Sequence, residues 1–448
     1  MKTVKKVFCI ALAALMLALS ACTSAARPGG SQTGKPANTN TPVQHSNAGE
    51  RFIKLSANIA PAQQRGREPD AAFRKAQADF AVELFKNSLE RGENSLVSPL
   101  SVMLALAMTA NGADNETLAQ MERTLGMPID ELNAYLYSYM KLLAQSSSVK
   151  LADSIWFKSF EGEFDPAANC EPFFEPNRDF LERNAAIYDA DVFSAPFDES
   201  TLEALNDWVK KNTDGMIDRM LDEIDPRTVM FLVNTLLFDA EWDEQYFDHQ
   251  LEDGVFTALS GERQNVEMMH SEEGLWIGDE TCSGFLKSYK KSPFAFAALL
   301  PEEGTDVNDF IDGLTGERLL SMLGNRWEGE VHAAMPKFGF DYSVSLVDAL
   351  RAMGMTDAFD PENANFSRLG TVAEGYNLCI GDVKHKTHID VAENGTRAGA
   401  ATVVEIYPES AMPPAEIREV VLDRPFVFMI MDMETNVPLF IGALTSVE

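Results

Sequence analysis

Apolar residues recur at helical spacing from Ala72 to Leu89, with Phe73, Ala76, Phe80, Ala81, Leu84 and Phe85 along one stripe. This period predicts an amphipathic helix. Ser101 to Ala110 is apolar nearly all round, which predicts a buried helix that begins just after Pro99. Met230 to Phe238 is a continuous apolar run with Asn234 at its centre, the pattern of a central strand buried on both faces. Phe426 to Met433 and Pro438 to Leu444 are two further apolar runs joined by Glu434-Thr-Asn-Val, a late hairpin. Helices early and strands late describe an α+β domain. No internal repeat runs through the chain.

The N-terminus is patterned differently. Lys2, Lys5 and Lys6 precede an apolar run ending in Leu19-Ser20-Ala21-Cys22, the layout of a secretory signal whose cleavage site ends in a cysteine. The Leu-Ser-Ala-Cys sequence resembles the bacterial lipoprotein box, which implies lipid attachment at Cys22 and an exported protein held on an outward-facing membrane surface. The apolar run is shorter than the ~20 residues a membrane span requires, and no other stretch reaches that length. Residues 23 to about 50 are rich in Ser, Thr, Pro, Gly, Asn and Ala and read as a flexible tether, since almost nothing in them can be buried. Arg51 to Pro69 is transitional, with Phe52, Ile53, Leu55 and Ile59 able to dock on the body.

The chain has 448 residues, 45% of them apolar, enough for a large core but not decisive on domain count. Its 37 basic and 69 acidic side chains sum to −32, and losing three lysines with the signal leaves −35. No polybasic stripe exists, so nucleic acid and heparin-like polyanions are poor partners. Cys170, Cys282 and Cys379 remain after the signal and anchor; with no framework spacing they read as free thiols, one disulfide beside one free thiol being the alternative. Motifs for hydrolysis, zinc or phosphate binding are missing from the sequence. His385 and His388 lack a nearby ligand set, so neither a metal nor a cofactor is expected.

Residues 393 to 410 read both as an exposed loop and as a strand in waiting. In an extended conformation Thr396, Ala398, Ala400, Thr402, Val404 and Ile406 share one face, and Arg397, Gly399, Ala401, Val403 and Glu405 share the other. Charges fall only on the second face. Such a segment could slip between two strands of a sheet without burying an unpaired charge, as a loop-inserting protease inhibitor requires.

A set of motifs in register extends this reading from about Phe73 to the C-terminus. They are Asn94-Ser-Leu-Val-Ser98-Pro99-Leu-Ser101 with Gly112-Ala113 and Thr117-Leu-Ala-Gln120-Met121; Leu151-Ala-Asp-Ser-Ile-Trp156-Phe; Asn206-Asp-Trp208-Val209 with Thr213, Gly215 and Ile217; and Phe231-Leu-Val-Asn234 with Trp242. Met335-Pro336-Lys-Phe338, His385-Lys-Thr-His-Ile-Asp-Val-Ala-Glu393-Asn-Gly395-Thr396 and Asp423-Arg-Pro425-Phe426 follow. In these residues the chain resembles the serpin family.

The resemblance implies a serpin domain over 73–448, after a signal over 1–21 and a lipidated tether over 22–72. It implies three β-sheets, about eight to nine helices and an exposed reactive-centre loop. Ser98, Ser101, Asn234 and His385 match the shutter, the polar cluster beneath the main sheet; Trp242 matches the breach at its top. Glu393, Gly395, Thr396, Ala398, Ala400 and Thr402 match the hinge, where Arg397 departs from the usual Glu. The implied activity is not enzymatic. A target serine protease, or alternatively a cysteine protease, is trapped covalently by a monomeric inhibitor that needs no cofactor. Counting sixteen residues from Glu393 places the reactive bond at Glu409 and Ser410, with Ala411 and Met412 as the alternative. The other reading is a serpin-fold carrier, chaperone or adhesive surface protein, which the small, uncharged hinge face disfavours.

Overall fold

A computed structural model describes residues 53–56, 65–158, 174–225, 227–372, 377–396 and 416–447. Nine α-helices are present among them, interleaved with short and long strands. The first long helix, Ala71–Ser88, starts where Asp70 caps it, its Oδ1 accepting from the amides of Ala72 at 2.9 Å and Phe73 at 3.2 Å. Tyr135 donates to Asp70 Oδ2 at 2.6 Å and is the main reason that this carboxyl is held down to about 2. Helix Pro99–Ala110 includes Pro99 itself, one residue earlier than the pattern suggested. Proline suits that first position because its missing N–H would have no partner there anyway.

Met230–Phe238 forms the expected strand but does not lie centrally. It pairs antiparallel with Val149–Lys158, which pairs in turn with Asp191–Ala195 and then Ile53–Lys54, so among the described residues Met230–Phe238 closes one side of a four-stranded sheet. Its apolar residues on both faces have a different cause. Asn234 and the residues in phase with it face helix Pro99–Ala110 on the inner side, while Phe231 and Val233 pack with Trp156, Phe197, Leu205 and Val209 of the outer layer that helix Glu199–Asn212 covers. An apolar run reports covered faces and says nothing about a free lateral edge.

A second four-stranded sheet lies beside the first, in the order Phe338–Ser345, Lys384–Ala392, Gly395–Thr396, Ala240–Glu241. The two halves are tied at one end, where Gly395–Thr396 pairs with both Val391–Ala392 and Ala240–Glu241. Below that tie no ladder joins Met230–Phe238 to Lys384–Ala392 among the described residues. Among the described residues the remaining strands form a nine-stranded sheet and a two-stranded pair, so hydrogen bonding divides the expected three sheets differently there. The 17-residue strand Arg263–Asp279 is long enough to serve both ends of the larger sheet.

The core lies under the nine-stranded sheet. Phe294–Pro301, Phe426–Asp432 and Pro438–Leu444 are buried at every position, the last two as the expected hairpin. Each large side chain so buried contributes about 1.5–3 kcal/mol. Docking of the chain begins before Phe73, since Ile53–Lys54 adds a strand beside Phe193–Ser194 and Arg67 stacks on Tyr135 at 4.4 Å. No helix among the described residues is long and apolar enough to cross a membrane.

Candidate functional site

The gap between the two half-sheets is a slot of about 650 Å³ whose walls include Ser98, Ser101, Asn234, Thr387 and His385. Its floor is the first turn of helix Pro99–Ala110. Ser98 caps that helix, its Oγ accepting from the Ser101 amide at 3.4 Å and donating to the Leu439 carbonyl at 2.8 Å. The backbone N–H of Ser98 donates to His385 Nε2 at 3.0 Å, and the Ser101 hydroxyl bonds Asn234 Oδ1. One helix end therefore holds both banks of the slot, His385 on one and Asn234 on the other. Thr387 adds a bond from its hydroxyl to the Leu96 carbonyl at 2.8 Å.

All four sequence-expected residues are thus brought together, through the helix turn and without a direct His385–Asn234 bond. Burial pushes the His385 imidazole down to about 4, so the ring is neutral and accepts at Nε2. His388 cannot join it in a ligand pair. Three positions along a strand is an odd step, and the His388 ring turns to the opposite face, 2.8 Å from Asp341 Oδ1.

The cluster has a fifth member that the sequence reading passed over. Asn234 Nδ2 donates to Asp153 Oδ1 at 2.9 Å, and Asp153 is 3% exposed. A lone acidic residue within the apolar run Leu151 to Phe157 was the available signal.

At the top of the slot Gly395 and Thr396 already lie in the sheet. Gly395 has φ of 155°, and a side chain there would meet the Ala240 carbonyl oxygen at 2.2 Å, so only glycine fits. Thr396 is 3% exposed, its hydroxyl 2.5 Å from that of Tyr289. Tyr289 stacks on Trp242 at 4.6 Å, and Trp242 Nε1 donates to the Ala392 carbonyl at 2.8 Å. Beside them Lys287 and Glu273 form a buried ion pair at 2.8 Å, with the Lys287 ammonium 4.4 Å over the Tyr246 ring. Glu393 pairs with Lys337 at 3.0 Å; its own backbone amide and then Lys337 hold its carboxyl below the ordinary range. Tyr289 carries no sequence signal, because its role depends on which strand end arrives beside it.

Ala398, Ala400, Thr402, Glu409, Ser410, Ala411, Met412, Cys22 and Cys170 lie outside the described residues. Cys282 and Cys379 are both buried. On the nine-stranded sheet Glu272, Glu330 and His332 bring three exposed ligand atoms together, with His332 Nε2 2.8 Å from Glu330 Oε1 as an ordinary surface contact.

The fold thus carries a sheet in two halves, joined among the described residues through the strand end Gly395–Thr396 at its top. Comparison with known proteins names it: residues 75–447 match the family model "Serpin (serine protease inhibitor)". The chain belongs to the serpin family. It is similar to human Serpin B8, 32% identical over 385 residues that cover 83% of this chain and 98% of that protein. It is also similar to an uncharacterized serpin-like protein of Thermococcus kodakarensis, 28% identical over 82% of this chain and 83% of the relative. Among solved structures, the thermophilic serpin tengpin in its native state is 46% identical with a TM-score of 0.80, covering 89% of this chain and all of that one. Its latent-state structure is 44% identical with a TM-score of 0.73, covering 86% of this chain and all of that one. Serpins are generally protease inhibitors rather than enzymes.

Proposed function

We propose that the protein is an irreversible suicide inhibitor of serine endopeptidases, acting by insertion of its cleaved loop into the slot. The observation that carries this reading is register. Thr396 lies opposite both Val391 and Ala240. Counting back six residues on each neighbour, and carrying the register past Asp239, an extended continuation sets Thr402 opposite His385 and Asn234. On the same face Ala398 comes to Ile389 and Phe238, and Ala400 to Thr387 and Leu236. Small side chains thus meet Ile389, Phe238, Thr387 and Leu236, and the threonine hydroxyl meets the polar cluster.

The protease serine attacks the Glu409 carbonyl carbon, an acyl ester forms, and the amine of Ser410 leaves. The freed strand then enters the slot. Thr396 to Glu409 is 14 residues, which at ~3.3 Å each makes roughly 45 Å of new strand. Backbone groups along both slot edges gain ladder partners, so a barrier rather than lowest free energy holds the intact form. Glu before the bond fits a protease with a basic specificity pocket.

The Leu19-Ser20-Ala21-Cys22 sequence supports a lipidated N-terminus, with the tether presenting a monomeric inhibitor off an outward membrane surface. The test of inhibition is incubation with a panel of serine proteases, including a glutamyl endopeptidase. An SDS-stable complex with release of a peptide beginning at Ser410 is expected. Cleavage with full recovery of protease activity would leave a non-inhibitory carrier, chaperone or adhesive protein instead.

A further inference from the structure

Asp153 stands in the middle of strand Val149–Lys158, directly opposite Asn234. Its Oδ1 accepts from Asn234, but its Oδ2, fully enclosed, has no hydrogen-bond partner. The elements around it supply no compensating cation. Strand Met230–Phe238 and helix Pro99–Ala110 contain no titratable side chain. On Asp191–Ala195, Asp191 is engaged with Lys54 and with the indole of Trp208 in the outer helix. From helix Arg178–Tyr188 comes Tyr188, whose hydroxyl donates to Asn133 at 2.5 Å, and just beyond it Asp189, of like charge. Arg183 is committed to an exposed ion pair with Asp130 at 2.6 Å. His385 stands on the opposite bank, neutral and bonded to Ser98.

A carboxylate enclosed with a single partner is strongly disfavoured, so such a group keeps its proton or forces an opening. We propose that Asp153 is a pH-sensitive latch: its proton keeps strands 149–158 and 230–238 closed over helix Pro99–Ala110, and loss of the proton favours parting of that bank. Water reaches Oδ2 only in the parted form. The latch concerns the cluster's own opening and stands whether or not the chain inhibits a protease.

The direction follows from linkage. In the closed form burial, with a smaller push from Asp189, raises the Asp153 carboxyl to about 7. In the parted form it returns toward the ordinary value of about 4. Opening therefore becomes easier as pH rises between these values and levels off above the higher one. Each unit between the two values is a factor of about ten in the opening equilibrium. His385 stays with Ser98 through this movement and is neutral throughout the range above its own low value.

Hydrogen exchange read by mass spectrometry on the full chain tests the latch, using peptides covering 149–158 and 230–238 from pH 5 to 8, each rate divided by its intrinsic value at that pH. In the wild type the opening constant should rise about tenfold per unit up to about pH 7 and then flatten. In Asp153→Asn, which keeps the acceptor for Asn234 and cannot ionise, it should stay at the low-pH value. A wild-type constant flat across the range overturns the latch without any variant. An equal rise in Asp153→Asn overturns it too, since another group would then carry the effect.

Discussion

The Ser98 backbone amide donates to His385 Nε2 at 3.0 Å across 287 residues of sequence, so the imidazole must be neutral for the helix cap and the strand to stay joined. The arrangement makes His385 and Asp153 opposed titrating groups on the two banks of one slot. The contribution of His385 is full above its unfolded value of 6.5 and is lost as pH falls toward about 4. That of Asp153 is full near pH 4 and is lost as pH rises toward about 7. Each slope is roughly 1.4 kcal/mol per pH unit, and between about pH 4 and 6.5 they cancel.

Single variants should expose the hidden slopes. Relative to wild type, Asp153→Asn should gain stability with rising pH over that window, and His385→Gln should lose it, in urea unfolding at pH 4.5, 5.5 and 6.5. At pH 7 His385→Ala should cost ~1–3 kcal/mol, because the Ser98 amide loses its acceptor. Profiles parallel to the wild type would show that neither group is enclosed as described.

Gly395→Ala should strain the strand end at the top of the slot, where a side chain meets the Ala240 carbonyl oxygen at 2.2 Å. A loss of about 1–3 kcal/mol in local protection of the 391–396 segment is expected. Gly274→Ala, where nothing lies within 4 Å, is the control and should leave exchange unchanged. Equal protection in both variants would mean that the 395–396 strand is not held against 240–241.

Thr396→Arg should separate trapping from cleavage. The site is closed, and the threonine hydroxyl is committed to Tyr289, so an arginine must leave the sheet or carry an unpaired charge into it. Cleavage by a susceptible protease should continue while complex formation falls at least tenfold on denaturing gels. For the wild type, cutting within 406–411 should raise the melting temperature by tens of degrees, as a metastable form gains its missing strand. Cut and intact protein melting together would point to a non-inhibitory member of the fold.

Cys22→Ala should release the protein into the medium or stall its processing, without altering inhibition by the folded domain. Two or three acyl chains anchor stably whereas one is marginal, so phase partitioning of wild type and variant in detergent reads the anchor directly. Unlipidated wild-type protein in the supernatant, with an N-terminus elsewhere, would assign the segment as an ordinary signal peptide.

Local pattern was enough for the helices at 71–88 and 99–110 and the hairpin of 426–432 and 438–444, because those depend on periodicity and turn chemistry within a few residues. The family motifs by themselves place Ser98, Ser101, Asn234 and His385 in one cluster. What they could not convey is that the cluster works through a helix N-terminus, with Ser98 and Ser101 each holding a different bank. Strand neighbours were also out of reach: an apolar run shows that Met230–Phe238 is covered on both faces, but which strand pairs alongside it leaves no mark in side-chain chemistry. The same is true of Asp153, whose acidity is ordinary in sequence and becomes unusual only where Asn234 and the surrounding apolar layers enclose it. Residue types and their periods are local properties written in the chain itself. Burial, lateral pairing and the resulting proton affinities are set by contacts between segments far apart in sequence, which only the packed structure brings together.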